Sequence, residues 1–330
     1  MLKIGVLGAG HLGKIHLKCI QLADTFYDLV GFYDPDDRAA QQAVDTFGIQ
    51  RFETMEALFA AVDVVDIVTP TSTHFAVASR AIRAGKHIFI EKPLTRTAEE
   101  AEELVKISRE HNVKVQVGHV ERFNPALLAL EDMPLDPMFI EAHRLAVFNP
   151  RGTDVSVVLD LMIHDLDILL SMVKAEVRFV SASGVAVVST TPDIANARIE
   201  FTNGCVANLT ASRISLKQMR KVRLFQRDAY ISLDFLEKEA QIVRLYDKDA
   251  PNLPADANLM EMDTNRGSKL LQAYAPPIEP VNAIKMELES FAQSIINNQT
   301  PRVPIEDGYK ALLLAHDIIR EIEKRASVLH

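Results

Sequence analysis

The sequence predicts an α/β protein in two parts: a doubly wound parallel sheet at the N-terminus and a C-terminal α/β domain with an open, largely antiparallel sheet. Three observations predict it. Short apolar strand runs alternate with helical patterns over the first 120 residues, the signature of right-handed strand–helix–strand units. From Val177 to about Leu245, β-branched runs then follow one another with little helix between them. Finally, 330 residues exceed one ordinary core and suit two domains. The expected boundaries are 1–120 and 121–330.

The first part runs in order. Lys3 to Leu7 is an apolar strand and residues 11 to 23 a helix. Leu29 to Tyr33 is a second strand, ended by Asp34-Pro35, and Asp36 to Phe47 is helical. Val62 to Val68 is an apolar strand carrying two Asp, followed by a helix from His74 to Ala84 that stops at Gly85, a natural helix terminator. His87 to Ile90 is a strand. Thr97 to His111 is a helix whose Thr97 and Glu100 are spaced as a capping box. Val113 to Val117 closes the series. In the second part, Val155 to Val173 is expected as one buried helix, and Asn203-Gly204 marks a hairpin between two strands. Residues 247 to 280, rich in Pro, Asn and Asp, are expected as a long loop. Helices at about 281–297 and 306–325 end the chain.

Composition excludes several classes. Apolar residues make up 48% and charged residues 25%, with a net charge of -9. No basic stripe accompanies that acidity, so nucleic acid is not an expected partner. The two cysteines, Cys19 and Cys205, allow neither a disulfide framework nor a metal-ligand spacing, which suits a reducing cytoplasm. No metal is expected. MLKIGVLGAG leads from a strand straight into a glycine turn, without the pattern of a signal peptide. Asp160, His164, Asp165 and Asp167 interrupt the most apolar helix, so no membrane partner is expected. The run of strands leaves a sheet face needing cover, which points to a homodimer or homotetramer.

The chemistry begins at Gly8-Ala9-Gly10-His11-Leu12-Gly13. This GxGxxG lies between the first strand and the first helix, as a Rossmann dinucleotide site requires. The glycines allow a tight turn and close approach of a pyrophosphate to the helix N-terminus. Without a ligand it is only a glycine turn. Asp34, 21 residues beyond Gly13, is placed to bond the ribose hydroxyls of NAD and to repel the extra phosphate of NADP. Arg38 nearby softens that preference, and a plain helix cap is the alternative. Thr69-Pro70-Thr71-Ser72-Thr73-His74 follows another strand end. There Thr69, Pro70 and His74 either touch the cofactor or only start the next helix.

Glu91-Lys92-Pro93 stands at the carboxyl end of a predicted parallel strand, the edge where open α/β sheets bind ligands. Lys92 there can bond a substrate hydroxyl and tune proton transfer, or be an ordinary surface lysine. Asp160, His164 and Asp167 lie at i, i+4 and i+7 of an otherwise apolar helix, on one stripe. Buried carboxylates and an imidazole there either line a site or form a structural network. His164 suits a general base, with Asp160 orienting it or binding substrate. Gly118-His119-Val120-Glu121-Arg122-Phe123-Asn124-Pro125 either lines a cleft through Arg122 and Asn124 or is a domain linker.

In this order, GAGHLG, TPTSTH, EKP, GHVERFNP, DLMIH, EPVNAIKMELESF and VPIEDGYKALLLA resemble the glucose-fructose oxidoreductase and inositol dehydrogenase family, Gfo/Idh/MocA, over nearly the whole chain. The resemblance implies a Rossmann domain followed by an open-sheet α/β domain. It also implies a tightly held nicotinamide cofactor and a sugar or polyol substrate. Lys92 matches the lysine of the family's EKP motif, and Asp160 and His164 its later Asp-x-x-x-His pair. Thr71 departs from the usual Thr-Pro-Asn, and Met162 stands where members often have glycine. GHVERFNP and DLMIHDLDILL look most like members oxidising the 3-hydroxyl of UDP-linked N-acetylglucosamine. With such a substrate, Arg122, Arg144, Arg151 and Arg213 are candidates for a diphosphate. The expected function is NAD-dependent hydride transfer at a sugar or nucleotide-sugar hydroxyl carbon. The alternatives are an NAD-dependent glycosidase of the same family and a cofactor-sensing regulator.

Overall fold

The structure, a computed structural model, describes residues 1–149, 155–250, 253, 258–265 and 267–326. The chain forms two compact units. One comprises 1–123 with 281–316, and the other 124–280 with 317–330. The expected break at 120 thus falls three residues later, and 281–316, expected with the second domain, packs with the first.

The first unit holds β1 (Leu2–Leu7), α1 (His11–Leu22), β2 (Tyr27–Tyr33), α2 (Asp37–Phe47), α3 (Met55–Ala61), β3 (Val64–Ile67), α4 (Thr71–Arg83), β4 (His87–Glu91), α5 (Ala98–Glu110) and β5 (Val115–Gly118). The strands form a parallel sheet in the order β2-β1-β3-β4-β5. An isolated parallel bridge from Phe32 to Arg51 adds a rudimentary strand outside β2, which gives the 3-2-1-4-5-6 order of the dinucleotide fold. The strand order reverses between β1 and β3, so the loops after these strands border the switch point where such sheets take ligands.

The helices start where their caps stand. The Asp36 carboxylate accepts from the Arg38 and Ala39 amides, and Thr97 and Glu100 complete the capping box. Among α1 to α5, α3 was not expected from the sequence; at seven residues it develops no apolar period, although Thr54 caps it. The C-terminal segment joins this unit because α8 (Ala283–Ile296) shares its core. Leu288, Phe291 and Ala292 pack with Ile4, Val6, Leu17 and Phe89, and the Tyr27 hydroxyl donates to the Leu288 carbonyl at 2.8 Å.

The second unit holds α6 (Pro125–Leu128), β6 (Phe139–Leu145), α7 (Ile163–Met172), β7 (Val177–Val185), β8 (Ile194–Phe201), β9 (Val206–Ser212), β10 (Met219–Phe225), β11 (Ala229–Asp234), β12 (Glu239–Asp247), β13 (Met260–Thr264) and β14 (Gly267–Tyr274). These nine strands form one sheet in the order β13-β14-β12-β11-β10-β6-β9-β8-β7. Only β6 and β9 run parallel; every other neighbouring pair is antiparallel. The inner face alternates buried Ile140, Ala142, Leu209, Ala211 and Leu224, and Val157, Val158, Met162 and Leu166 are buried as well. The last helix, α9 (Ile305–Ala326), gives residues to both units.

Two expectations need correction here. The loop expected over 247–280 contains the hairpin of β13 and β14, with β14 paired to β12 from Ile242–Tyr274 to Asp247–Lys269. The polar residues that looked like loop are the solvent face of an edge hairpin, where β13 is exposed throughout. The helix expected from Val155 begins instead with a π-helical turn, Val158–Met162, and becomes α-helical at Ile163. No helix among the described residues is long and apolar enough to cross a membrane.

Candidate functional site

The glycine turn is fixed by backbone sterics. Gly8 has φ +101, and a Cβ on it would stand 2.7 Å from the Val68 carbonyl oxygen. The loops after β1 and β3 therefore touch through a residue that only glycine can supply. A Cβ on Gly13 would stand 2.0 Å from the Gly8 carbonyl oxygen, so α1 packs flush on the turn. A Cβ on Gly10 would meet nothing within 4 Å. Gly10 is also the N-cap of α1; it offers no side chain to the first-turn amides, and no acidic residue stands in that turn. The helix start is thus open to an anion, with His11 and Leu12 exposed beside it. Asp34 is 8% exposed. Its Oδ2 accepts from the Ala9 amide at 2.6 Å and its Oδ1 from the Asp36 amide at 2.8 Å. The carboxylate fastens the glycine turn to the end of β2 at the edge a dinucleotide would occupy. These residues fit a pyrophosphate on the turn and a ribose toward Asp34.

The turn after β4 is held from several sides. Lys92-Pro93 is a cis peptide. The Glu91 carboxylate receives His16 Nε2 at 3.1 Å on Oε1 and the Lys92 amide at 3.2 Å on Oε2. The opposite nitrogen of His16, Nδ1, lies 2.9 Å from Asp66 Oδ2. His16 and Asp66 are wholly buried, and the Glu91 side chain is 13% exposed. Burial opposes charge on the imidazole, yet the two carboxylates hold its pKa well above the usual histidine range. His16 and Asp66 are site residues that sequence reasoning missed. The available signal was one acidic residue in the otherwise apolar run Val64-Val65-Asp66-Ile67.

His74, expected at the cofactor, is 1% exposed. Its Nε2 lies 2.9 Å from the Thr69 carbonyl and its Nδ1 3.0 Å from the Pro93 carbonyl. The ring lies between the turn after β3 and the turn after β4; both nitrogens face backbone carbonyls, and the neutral ring donates to one of them. Burial pulls its pKa below the usual value despite these carbonyls. Thr69 is half-buried and Pro70 exposed, and the Thr69 hydroxyl accepts from Thr73 at 2.8 Å.

In the second unit, Asp160 lies in the π-helical turn and His164 in the first turn of α7; both are half-buried. Asp167, expected on the same stripe, is 1% exposed. Asp165, beside His164, binds Arg144 of β6 through two bonds of 2.8 and 3.0 Å, and each side chain is 4% exposed. This fork fixes the rotation of α7 about its axis and hence the direction of His164. The segment before the π turn is fixed as well: Arg213 Nη2 donates to the Val155 carbonyl at 2.7 Å. The Asp193 carboxylate stands 3.5 Å from Arg213 Nε.

The arginines expected at a diphosphate are therefore mostly engaged elsewhere. Arg144 and Arg213 are buried in these structural pairs. The Arg122 side chain is 12% exposed and lies 3.1 Å from Asp307. Arg151 lies outside the described residues. Asn124, expected to bind substrate, is 7% exposed. It caps α6 through the Ala126 amide and donates to the Phe235 carbonyl at 3.0 Å; Asn before Pro125 is a helix start.

Comparison with known proteins matches both units. A family profile described as oxidoreductase family, NAD-binding Rossmann fold, covers residues 2–119. A second, the GFO/IDH/MocA C-terminal domain, covers residues 141–230. The chain is 41% identical to UDP-N-acetylglucosamine 3-dehydrogenase of Acidithiobacillus ferrooxidans over 254 residues, 77% of this chain and 80% of that one. It is 28% identical to an NAD-linked scyllo-inositol 2-dehydrogenase of Bacillus subtilis, over 91% and 88% of the two chains. Among solved structures, the Acidithiobacillus enzyme superposes with a TM-score of 0.87 at 35% identity, covering 98% of each chain. A levoglucosan dehydrogenase in complex with NADH and L-sorbose shares the fold, with a TM-score of 0.81 at 19% identity over 98% and 97% of the chains.

Proposed function

The chain belongs to the Gfo/Idh/MocA oxidoreductase family, and from that premise we propose that it oxidises a ring hydroxyl of a UDP-linked N-acetylamino sugar with NAD. The observation that carries this reading is the 41% identity to a UDP-N-acetylglucosamine 3-dehydrogenase across 80% of that enzyme's length. The order of motifs in this chain, with Lys92, Asp160 and His164 at the positions the family resemblance implies, supports it.

The Gly8–Gly13 turn would hold the pyrophosphate of NAD and Asp34 its ribose, and the bound cofactor would supply the hydride acceptor. NADP is disfavoured because its extra phosphate would meet the Asp34 carboxylate. Lys92 Nζ and the His164 imidazole are the two groups suited to the hydroxyl proton. The acceptor takes it as the C–H bond breaks and the hydride leaves. Asp160 orients the imidazole or binds a neighbouring hydroxyl. His16, Asp66 and His74 fix the backbone on which Lys92 stands.

The reading is tested by NADH formation with UDP-N-acetylglucosamine, other UDP-sugars, free inositol and free glucose, with the product ketone identified by mass spectrometry. Turnover of a UDP-N-acetylamino sugar is the expected result. Turnover of free inositol or glucose with none on any UDP-sugar would move the substrate class and leave hydride transfer standing. Glycoside cleavage without net NADH would replace the reading altogether.

We further propose that the protein works as a homodimer or homotetramer. The outer face of the nine-stranded sheet carries the ring cluster Phe139, Phe225 and Tyr230, with centroids 5.9 and 5.0 Å apart. Phe225 is 37% exposed. Next to the cluster, Arg223 and Glu141 form an ion pair of 2.6 Å. Such a mixed face suits a second copy better than open solvent. Sedimentation equilibrium at micromolar concentration is expected to give two or four chains; a monomer would refute the proposal.

A further inference from the structure

The buried triad Asp66–His16–Glu91 lies outside the groups assigned to the reaction, yet it ends one residue from Lys92. Two hydrogen bonds run through it, His16 Nδ1 to Asp66 and His16 Nε2 to Glu91. Carboxylates bring no hydrogen of their own. Both bonds are satisfied when the imidazole carries two N–H groups, so a cation stands between two anions. Burying three such groups is costly, and α1, β3 and β4 would pack more cheaply with apolar residues at these positions. The arrangement also has a direction. Asp66 is wholly buried, while Glu91 reaches the turn, where its second oxygen takes the Lys92 amide. Gly118 at the end of β5 lies flush on the carboxylate; a Cβ there would stand 2.9 Å from Glu91 Cδ. Glu91 therefore has one seat, and that seat sets the backbone of Lys92.

We propose that His16, carried by Asp66, is a positioning residue for Lys92 and acts through Glu91. The inference rests on the reading of Lys92 as a group that handles the substrate proton. The groups facing the triad are few. Phe89 of β4 sets its ring edge-on to His16 with centroids 5.7 Å apart, and Phe291 of α8 backs that ring. The Tyr27 phenol of β2 feels the Asp66 charge. His74 of α4 feels the Glu91 charge and holds the Pro93 carbonyl on the far side of Lys92. Lys92 is thus anchored on one flank by a charged imidazole acting through Glu91, and on the other flank His74 lies against the Pro93 carbonyl.

The test measures Lys92 directly. Acetylation of the full-length protein by acetic anhydride is followed across pH by mass spectrometry of the peptide bearing Lys92, with exposed Lys18 on α1 as internal control. His16→Leu and His16→Gln are compared with wild type. Both remove the cation that faces Glu91 and leave the Glu91 carboxylate beside Lys92. The Lys92 midpoint is expected to rise by at least about half a pH unit while that of Lys18 stays put. His16→Gln keeps a donor for one carboxylate, so it decides the matter if His16→Leu does not fold. An unmoved Lys92 midpoint in a folded variant overturns the proposal. In turnover of UDP-N-acetylglucosamine with NAD, His16→Gln is expected to lower kcat about tenfold, the scale of a misplaced reacting group, with KM for NAD within about twofold. In a Lys92→Ala background the same change is expected to cost nothing further; an equal loss in both backgrounds would make His16 merely structural. Absence of turnover in wild type counts against the substrate reading, and acetylation then decides this inference alone.

Discussion

Lys92→Ala and His164→Ala are each expected to lower turnover at least about 100-fold with the fold intact, the scale of a lost general acid–base group. Lys92 stands at the carboxyl end of β4, half-buried, with its amide on Glu91. His164 stands half-buried at the start of α7, whose rotation the Arg144–Asp165 fork fixes. Each side chain can be truncated without removing those anchors, so circular dichroism should be unchanged. Steady-state rates and spectra are measured on the same preparations. Near-normal turnover in both variants would return the two residues to a structural role. Loss in only one would identify the proton acceptor and leave the other as a replaceable donor. The pH dependence of kcat in the surviving variant would then report that acceptor.

Arg144→Met is expected to destabilise the protein by about 3–5 kcal/mol, because the Asp165 carboxylate would stay buried without its guanidinium. The fork is bidentate, and both side chains are 4% exposed. Neither water nor salt can screen the orphaned charge. Arg144→Met combined with Asp165→Leu is expected to recover most of that loss, since an apolar pair of similar volume often replaces a buried ion pair without penalty. Urea unfolding of the wild type, the single and the double variant measures the three stabilities. A single variant as stable as wild type would show that the fork does not hold α7. The double variant has a second use: if stability returns while turnover does not, the fork serves to aim His164 rather than to hold the sheet together.

Much of this protein was legible in one dimension because the relevant physics is local. The strand-to-helix passage at Gly8–Gly13 shows its glycine requirement within six residues, through the positive φ of Gly8 and the Gly13–Gly8 contact. The capping box at Thr97 and Glu100 closes within one turn. Alternation of strands and helices to residue 118, and of strand with strand from Val177, follows from which side of each segment must be apolar. The hairpin β13–β14 was missed because an edge strand exposed on every residue carries no apolar alternation to detect. The helix α3 was missed because seven residues make no period.

The sequence by itself determined the fold class, the nucleotide-binding turn, the acidic residue at the end of β2, and the two side chains proposed for proton handling. Only the tertiary structure decided which polar groups are committed to structural partners. Arg144, Arg213 and Asn124 looked like ligand-binding residues in sequence, and the fold spends them on Asp165, Asp193 and a helix cap. His16 and Asp66 looked like helix and strand filler, and the fold places them against Glu91. The reason is that a charge carries no mark of its partner in the chain. Residues 16, 66 and 91 meet because α1 packs over β3 and β4, neighbours in the parallel sheet, and burial strengthens whatever pairs that packing makes.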